Sequence, residues 1–156
     1  MLIDTRDFGE IEVSEDELIT FPAGVFAFEE AREFVLISPL NTEEEDVYPK
    51  WLQCAEDTTP CFIVFDPALV DGSYIVKLES FEQKLLKLDG DDADINDVRF
   101  LVIATVHDDF TKTTVNMKAP IVVNQKERLA VQAILADDYD FRAPLYNECE
   151  EAEELC

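Results

Sequence analysis

Basic residues are scarce in this sequence. Its 156 residues hold 12 Lys plus Arg against 36 Asp plus Glu, a formal net charge of −24. Nucleic-acid affinity rests largely on Lys and Arg neutralising phosphates, so the shortage argues against direct nucleic-acid binding. It argues equally against an anionic membrane surface. Glycine is scarce too, with four in the chain, and no Gly-rich phosphate-binding loop occurs. Long apolar runs are missing: no segment approaches the ~20 residues that span a bilayer. The opening Met1-Leu2-Ile3-Asp4-Thr5 lacks the basic region and apolar stretch of a signal peptide. The four cysteines, Cys54, Cys61, Cys149 and Cys156, match no CxxC redox or zinc spacing. The expectation is a cytoplasmic protein with free thiols, Cys61 lying in an apolar run and Cys156 at the terminus.

Enzyme signals are equally sparse. His107 is the sole histidine, and although Asp108 and Asp109 follow it, no nucleophile has a recognisable context. With so many acids present, a His–Asp neighbour carries little information. The Asp89, Asp91, Asp92, Asp94 and Asp97 cluster fails the calcium-loop template. That loop needs glycine at its sixth position and a bidentate Glu at its twelfth. Counting from Asp89 places Asp94 and Phe100 there, and counting from Asp91 places Asn96 sixth. No catalytic residue, metal or cofactor is expected.

What is present is a dense series of short β-prone runs. Nearly half the chain, 47%, is apolar, enough for a sizeable core in one domain. Ile11-Glu12-Val13, Phe34-Val35-Leu36-Ile37, Cys61-Phe62-Ile63-Val64-Phe65 and the segments 74–78, 100–106, 113–117, 119–123, 129–135 and 139–145 read as strands. Val, Ile, Phe, Tyr and Thr dominate them, and Asp, Asn, Gly or Pro breaks them. One helix is expected over 80–88, with Ser80 opening a capping box, Phe81, Leu85 and Leu88 on one face, and Asp89-Gly90 ending it. The 29–32 segment could add a single turn. The pattern predicts eight to ten strands and one or two short helices. Together they make an all-β, small, closed or nearly closed antiparallel barrel-like domain, a closure that removes exposed edges. The domain is placed at 1–146 and an acidic C-terminal tail at 147–156. Further acids gather at Glu43, Glu44, Glu45 and Asp46.

Some polar residues sit in apolar surroundings: Gln53 after Trp51-Leu52, Asn116 after Thr114-Val115, Asn124 after Ile121-Val122-Val123, and Gln132 inside 129–135. A buried amide must be hydrogen-bonded. Each is therefore either scaffolding or a polar spot in a recognition surface. Tyr48, Trp51, Tyr139 and Tyr146 could be contact aromatics or packing. The acidic excess has two readings as well. It could serve solubility or a salt-adapted surface, or it could steer a basic partner toward the protein.

The order of segments resembles the flagellar assembly factor FliW family over nearly the whole length. Thr5 with Gly9-Glu10-Ile11 is similar to that family's first strand. Phe21-Pro22-Ala23-Gly24-Val25, Phe28-Glu29 and Arg32-Glu33-Phe34 follow in order. Trp51-Leu52-Gln53-Cys54 resembles its Leu-Gln-Ser stretch with Cys54 for serine, and Phe62-Ile63-Val64 and Asp66-Pro67 resemble its next strand and turn. The most specific part is Thr114-Val115-Asn116-Met117-Lys118-Ala119-Pro120-Ile121-Val122-Val123-Asn124, followed by Gln132, Ile134-Leu135, Tyr139 and Arg142-Ala143-Pro144-Leu145. Ala27 departs from a glycine usual in the family, and Met117 from a leucine.

The resemblance implies a non-enzymatic β-barrel that binds the RNA-binding carbon storage regulator CsrA. Binding relieves translational repression of flagellin mRNA. The same protein binds free flagellin, which releases the regulator partner in a switch. It implies protein-level antagonism without RNA contact, a natural role for an acidic chain facing a basic regulator. A flagellin-specific chaperone or adaptor without regulator binding is the alternative. The partner-binding candidates are Gln53, Asn116, Asn124, Tyr139 and Arg142, with the tail residues Glu148, Glu150, Glu151, Glu153 and Glu154. The protein is expected to be a monomer when free.

Overall fold

The computed structural model describes residues 1–38, 48–90 and 95–145. The acidic segment Glu43–Asp46, the residues Asp91, Asp92 and Asp94, and the tail with Tyr146, Cys149 and Cys156 lie outside the described residues.

Strands β1 (Leu2–Thr5) and β2 (Gly9–Glu12) form a separate antiparallel hairpin. The remaining strands form one sheet: β3 (Ile19–Thr20), β4 (Glu33–Ile37), β5 (Lys50–Cys54), β6 (Cys61–Phe65), β7 (Val98–Thr105), β8 (Thr114–Val115), β9 (Ile121–Asn124), β10 (Leu129–Gln132) and β11 (Ala143–Pro144). The circuit β7-β6-β5-β4-β3-β10-β9 closes on itself because β9 also pairs with β7. Among the described residues the fold is thus a seven-stranded closed barrel with additional strands and one short α-helix.

Strand β7 makes closure possible by its length. Its first half pairs with β9, from Val98↔Asn124 to Leu101↔Ile121, and its later residues pair with β6 and β8. The barrel is antiparallel except at one seam, where β10 runs parallel to β3 through Leu129↔Thr20. Every other pairing among the described residues is antiparallel, as expected, and their eleven strands exceed the expected eight to ten.

Strand periodicity sorts the side chains. Ile19, Phe21, Phe34, Leu52, Val64, Leu101, Ile121 and Val123 fill the barrel. Fully burying each such side chain stabilises by about 1.5–3 kcal/mol. Val122 and Val131 point the other way, onto Leu86 beside the helix. Both faces of β9 are therefore buried, which explains its uninterrupted apolar run. Ile3, Val13 and Val35 form a smaller cluster under the hairpin.

Three local expectations need correction. The helix α1 is Ser80–Leu85, and its N-cap is Glu79 rather than Ser80. The Glu82 carboxylate accepts the Glu79 amide at 2.8 Å, so the reciprocal motif is shifted one residue back. Glu82 and Leu86 are the buried positions, and Phe81 is 63% exposed instead of facing the core. Lys87, at φ 56°, turns the chain before Asp89-Gly90 is reached. The 74–78 segment alternates half-buried and exposed residues as a strand would, yet it joins no ladder. It is pinned by side chains instead: the Tyr74 hydroxyl donates to the Met117 carbonyl, and the Ile75 amide donates to the Tyr139 hydroxyl at 3.3 Å. Residues 29–30 form a turn, closed by the Ala31 amide on the Phe28 carbonyl at 3.0 Å, and no helical turn forms over 29–32.

Candidate protein-interaction surface

Between β3 and β4 the chain forms a tight loop over 22–31. Phe21 is fully buried and starts it, and the Gly24 amide returns to the Phe21 carbonyl at 2.9 Å. Gly24 has φ +73°, and a Cβ there would lie 2.4 Å from the Glu29 carbonyl oxygen. Only glycine fits so close an approach at that angle. Val25 and Phe28 then bridge antiparallel across Phe26-Ala27, with Ala27 held at φ 70°. This turn drives Phe26 and Phe28 outward, 46% and 44% exposed.

Polar side chains hold the loop in place. The Arg32 guanidinium donates to the Pro22 carbonyl at 2.6 Å and the Glu29 carbonyl at 2.9 Å. The Glu56 carboxylate accepts the Arg32 and Glu33 amides. Gln132 joins the loop to the barrel: its Oε1 accepts the Phe26 amide at 3.0 Å and its Nε2 donates to the Ala119 carbonyl. Of the two roles open to Gln132, the structure shows this scaffolding one.

A hollow lies on each side of the loop. One, of about 500 Å³, is acidic, with Glu29, Glu30, Glu56 and Asp57 around Phe28 and Pro60. The other, of about 280 Å³, is apolar, with Phe26, Phe81, Leu85, Val131 and Ile134. Phe81 and Ile134 are 63% and 57% exposed. Large apolar side chains from separate elements that meet in one exposed patch mark an interaction surface. The alternation of Phe26 and Phe28 about a turn was the available sequence signal for one edge. Nothing in the sequence brought Phe81 and Ile134 to the same place.

The expected partner residues divide among three locations. Gln53 is fully buried in β5; its Oε1 accepts the Arg6 amide at 3.0 Å and its Nε2 donates to the Cys54, Asp57 and Thr58 carbonyls. Asn124, 4% exposed, donates to the Leu86 carbonyl at 2.7 Å while its Oδ1 accepts the Lys126 and Glu127 amides. Asn116, Tyr139 and Arg142 gather near the β8–β11 pair, where the Met117 amide donates to the Asp140 carbonyl. Asn116 accepts the Lys118 and Ala119 amides, Tyr139 is half-buried edge-on to Tyr74 at 4.6 Å, and Arg142 is exposed. Burial, with Tyr139 adjacent, raises the Tyr74 phenol well above its ordinary range.

The residues weighed for chemistry are placed apart. His107 is exposed beyond β7, and the Asp109 carboxylate accepts the Thr111 hydroxyl at 2.6 Å and its amide at 3.1 Å. Those bonds hold Asp109 below the usual carboxylate range. Cys61 stands opposite Gln53 in the β5–β6 register, so Cys54, one residue on, projects to the other face. Both thiols are free, and burial pushes the Cys61 thiol up. No helix among the described residues is long and apolar enough to cross a membrane.

These features describe a closed barrel that carries a compact interaction loop. The same architecture appears in a crystal structure of the flagellar assembly factor FliW, with TM-score 0.81 and 32% identity over 94% of this chain and 98% of that one. The flagellar assembly factor FliW of Lachnospira eligens is 36% identical over 94% of this chain and 95% of its own length. That of Thermoanaerobacter pseudethanolicus is 34% identical over 97% of both. The profile of the family described as FliW protein matches residues 2–145. The chain belongs to the FliW family, whose members are non-enzymatic flagellar assembly factors.

Proposed function

We propose that this protein binds the carbon storage regulator CsrA, relieves its repression of flagellin mRNA, and is drawn off by free flagellin. The observation that carries the reading is the net charge of −24 on a barrel of this family. An RNA-binding regulator presents Lys and Arg for phosphates, and those groups are attracted to clustered carboxylates. The protein acts without touching RNA, as a cytoplasmic monomer with residues 1–146 as one domain and 147–156 as an acidic arm. The arm's five glutamates steer the encounter, and Asn116, Tyr139 and Arg142 belong to the flagellin-facing surface. Gln53 and Asn124 act as scaffolding elsewhere, holding the backbone at Arg6 and 54–58 and at Leu86 and 126–127.

Linkage makes the action reciprocal: if this protein weakens RNA binding by the regulator, RNA weakens the complex by the same factor. Titrating the cognate regulator with labelled flagellin leader RNA, with and without this protein, tests the reading. RNA affinity should fall as the protein is added and recover when monomeric flagellin follows. Unchanged RNA affinity at saturating protein would refute it.

A further inference from the structure

We infer that the apolar groove between α1 and the 22–31 loop is the docking site for a basic amphipathic segment of a partner protein. This rests on the reading above that the protein works by binding other proteins, and it assigns one surface to that work. The groove's volume of about 280 Å³ falls just below the ~300–1,000 Å³ of small-molecule sites. It suits side chains delivered by a peptide. Its rim is built from three distant parts of the chain, Phe26, Phe81 and Ile134, each roughly half exposed or more. An amphipathic helix places apolar anchors at spacings of three and four, which is how such segments fill grooves.

Charge selects among occupants. The groove wall carries two carboxylates, Glu79 and Glu82, and no Lys or Arg. Glu82 is buried and committed to the Glu79 amide, so Glu79 is the exposed charge that faces an incoming segment. A Lys or Arg flanking the apolar anchors meets Glu79 and a protein of net charge −24. The chain's own tail, with Glu148, Glu150, Glu151, Glu153 and Glu154, has the wrong sign to occupy the groove. A second copy of this acidic chain would meet the same repulsion.

The test uses the full chain, isotopically labelled, and a synthetic helical peptide of leucine and lysine as probe. Amide resonances of Phe26, Phe81, Glu82 and Ile134 should shift saturably. Phe81→Ala and Ile134→Ala should each weaken binding about tenfold, the size expected when an aromatic or aliphatic anchor is removed. Both side chains are exposed, so the variants should fold, and circular dichroism checks that they do. A peptide with glutamate in place of lysine should not bind, and Glu79→Gln should weaken the lysine peptide while leaving the fold intact. Equal binding by wild type and variants, equal binding of the acidic peptide, or shifts confined to other surfaces would overturn the assignment. A dimer that Phe81→Ala dissolves would put a second copy in the groove and also overturn it. If the lysine peptide binds as described but cognate flagellin and regulator do not, the groove stands and the proposed function fails.

Discussion

Replacing Ala27 by glycine should stabilise this protein. Ala27 sits at φ 70° in the turn that joins Val25 to Phe28. A residue with a Cβ in that left-handed region costs about 1–2 kcal/mol. Glycine removes the cost but brings a more mobile unfolded chain, worth about 0.4–1 kcal/mol in the opposite direction. The net expectation is a gain of about 0.5–1 kcal/mol, because the exposed Ala27 methyl contributes little burial. With a urea m value of about 2 kcal/mol/M, the midpoint should rise by about 0.3–0.5 M at unchanged m. Trp51, the sole tryptophan, is half-buried and edge-on to Phe8 at 5.0 Å, and its fluorescence reports the transition. Gly24→Ala is the matched opposite, since its Cβ would strike the Glu29 backbone at 2.4 Å. It should lower the midpoint. A lower or unchanged midpoint for Ala27→Gly, with m unchanged, would refute the claim that this turn is strained at Ala27.

Gln53→Ala should destabilise by about 2–4 kcal/mol in the same assay, since it strands the Arg6 amide and three carbonyls and opens a cavity. A loss under ~1 kcal/mol would show that water replaces the amide. The Cys61 thiol is raised by burial, so the folded state holds its proton above the ordinary thiol range, near pH 8.5, where the unfolded thiol has lost it. Stability should therefore fall as pH climbs from about 8 to 10, and less steeply in Cys61→Ala, as read from urea midpoints. Equal slopes would remove the assignment. Neutralising Glu148, Glu150, Glu151, Glu153 and Glu154 should slow association with the cognate regulator in stopped-flow mixing and flatten its salt dependence. Fold stability should change little; the same rate and salt slope would show that the tail does not steer.

The barrel was legible because its strands are marked by composition and punctuation. Asp66-Pro67 ends β6, and the Asp66 carboxylate accepts the Ala68 amide, a stop written in residue type alone. Segment 74–78 misled because alternation reports which side is buried, and Tyr74 on Tyr139 with Val76 and Leu78 on the Leu86–Val122–Val131 cluster supply that burial without a ladder. The helix misled for a related reason. Ser80 fits a cap by residue type, but Glu79 holds that place, and the buried face runs through Glu82 and Leu86, which leaves Phe81 outward. The interaction loop stayed hidden because its floor and rim come from residues more than a hundred positions apart, as in the Phe26–Gln132 bond. Proximity of that kind belongs to topology, and no local pattern encodes it.

The parallel seam between β3 and β10 also sets a schedule. Thr20 cannot bond the Arg128 carbonyl, and Arg128 cannot reach the Glu17 and Leu18 carbonyls, until nearly the whole chain has left the ribosome. Contacts so distant in sequence form late, because a long loop must close before they repay its entropy. The groove straddles this seam, taking Phe26 from the early chain and Ile134 from the late one. A nascent or truncated chain therefore lacks the groove, and a segment that recognises it counts only finished molecules.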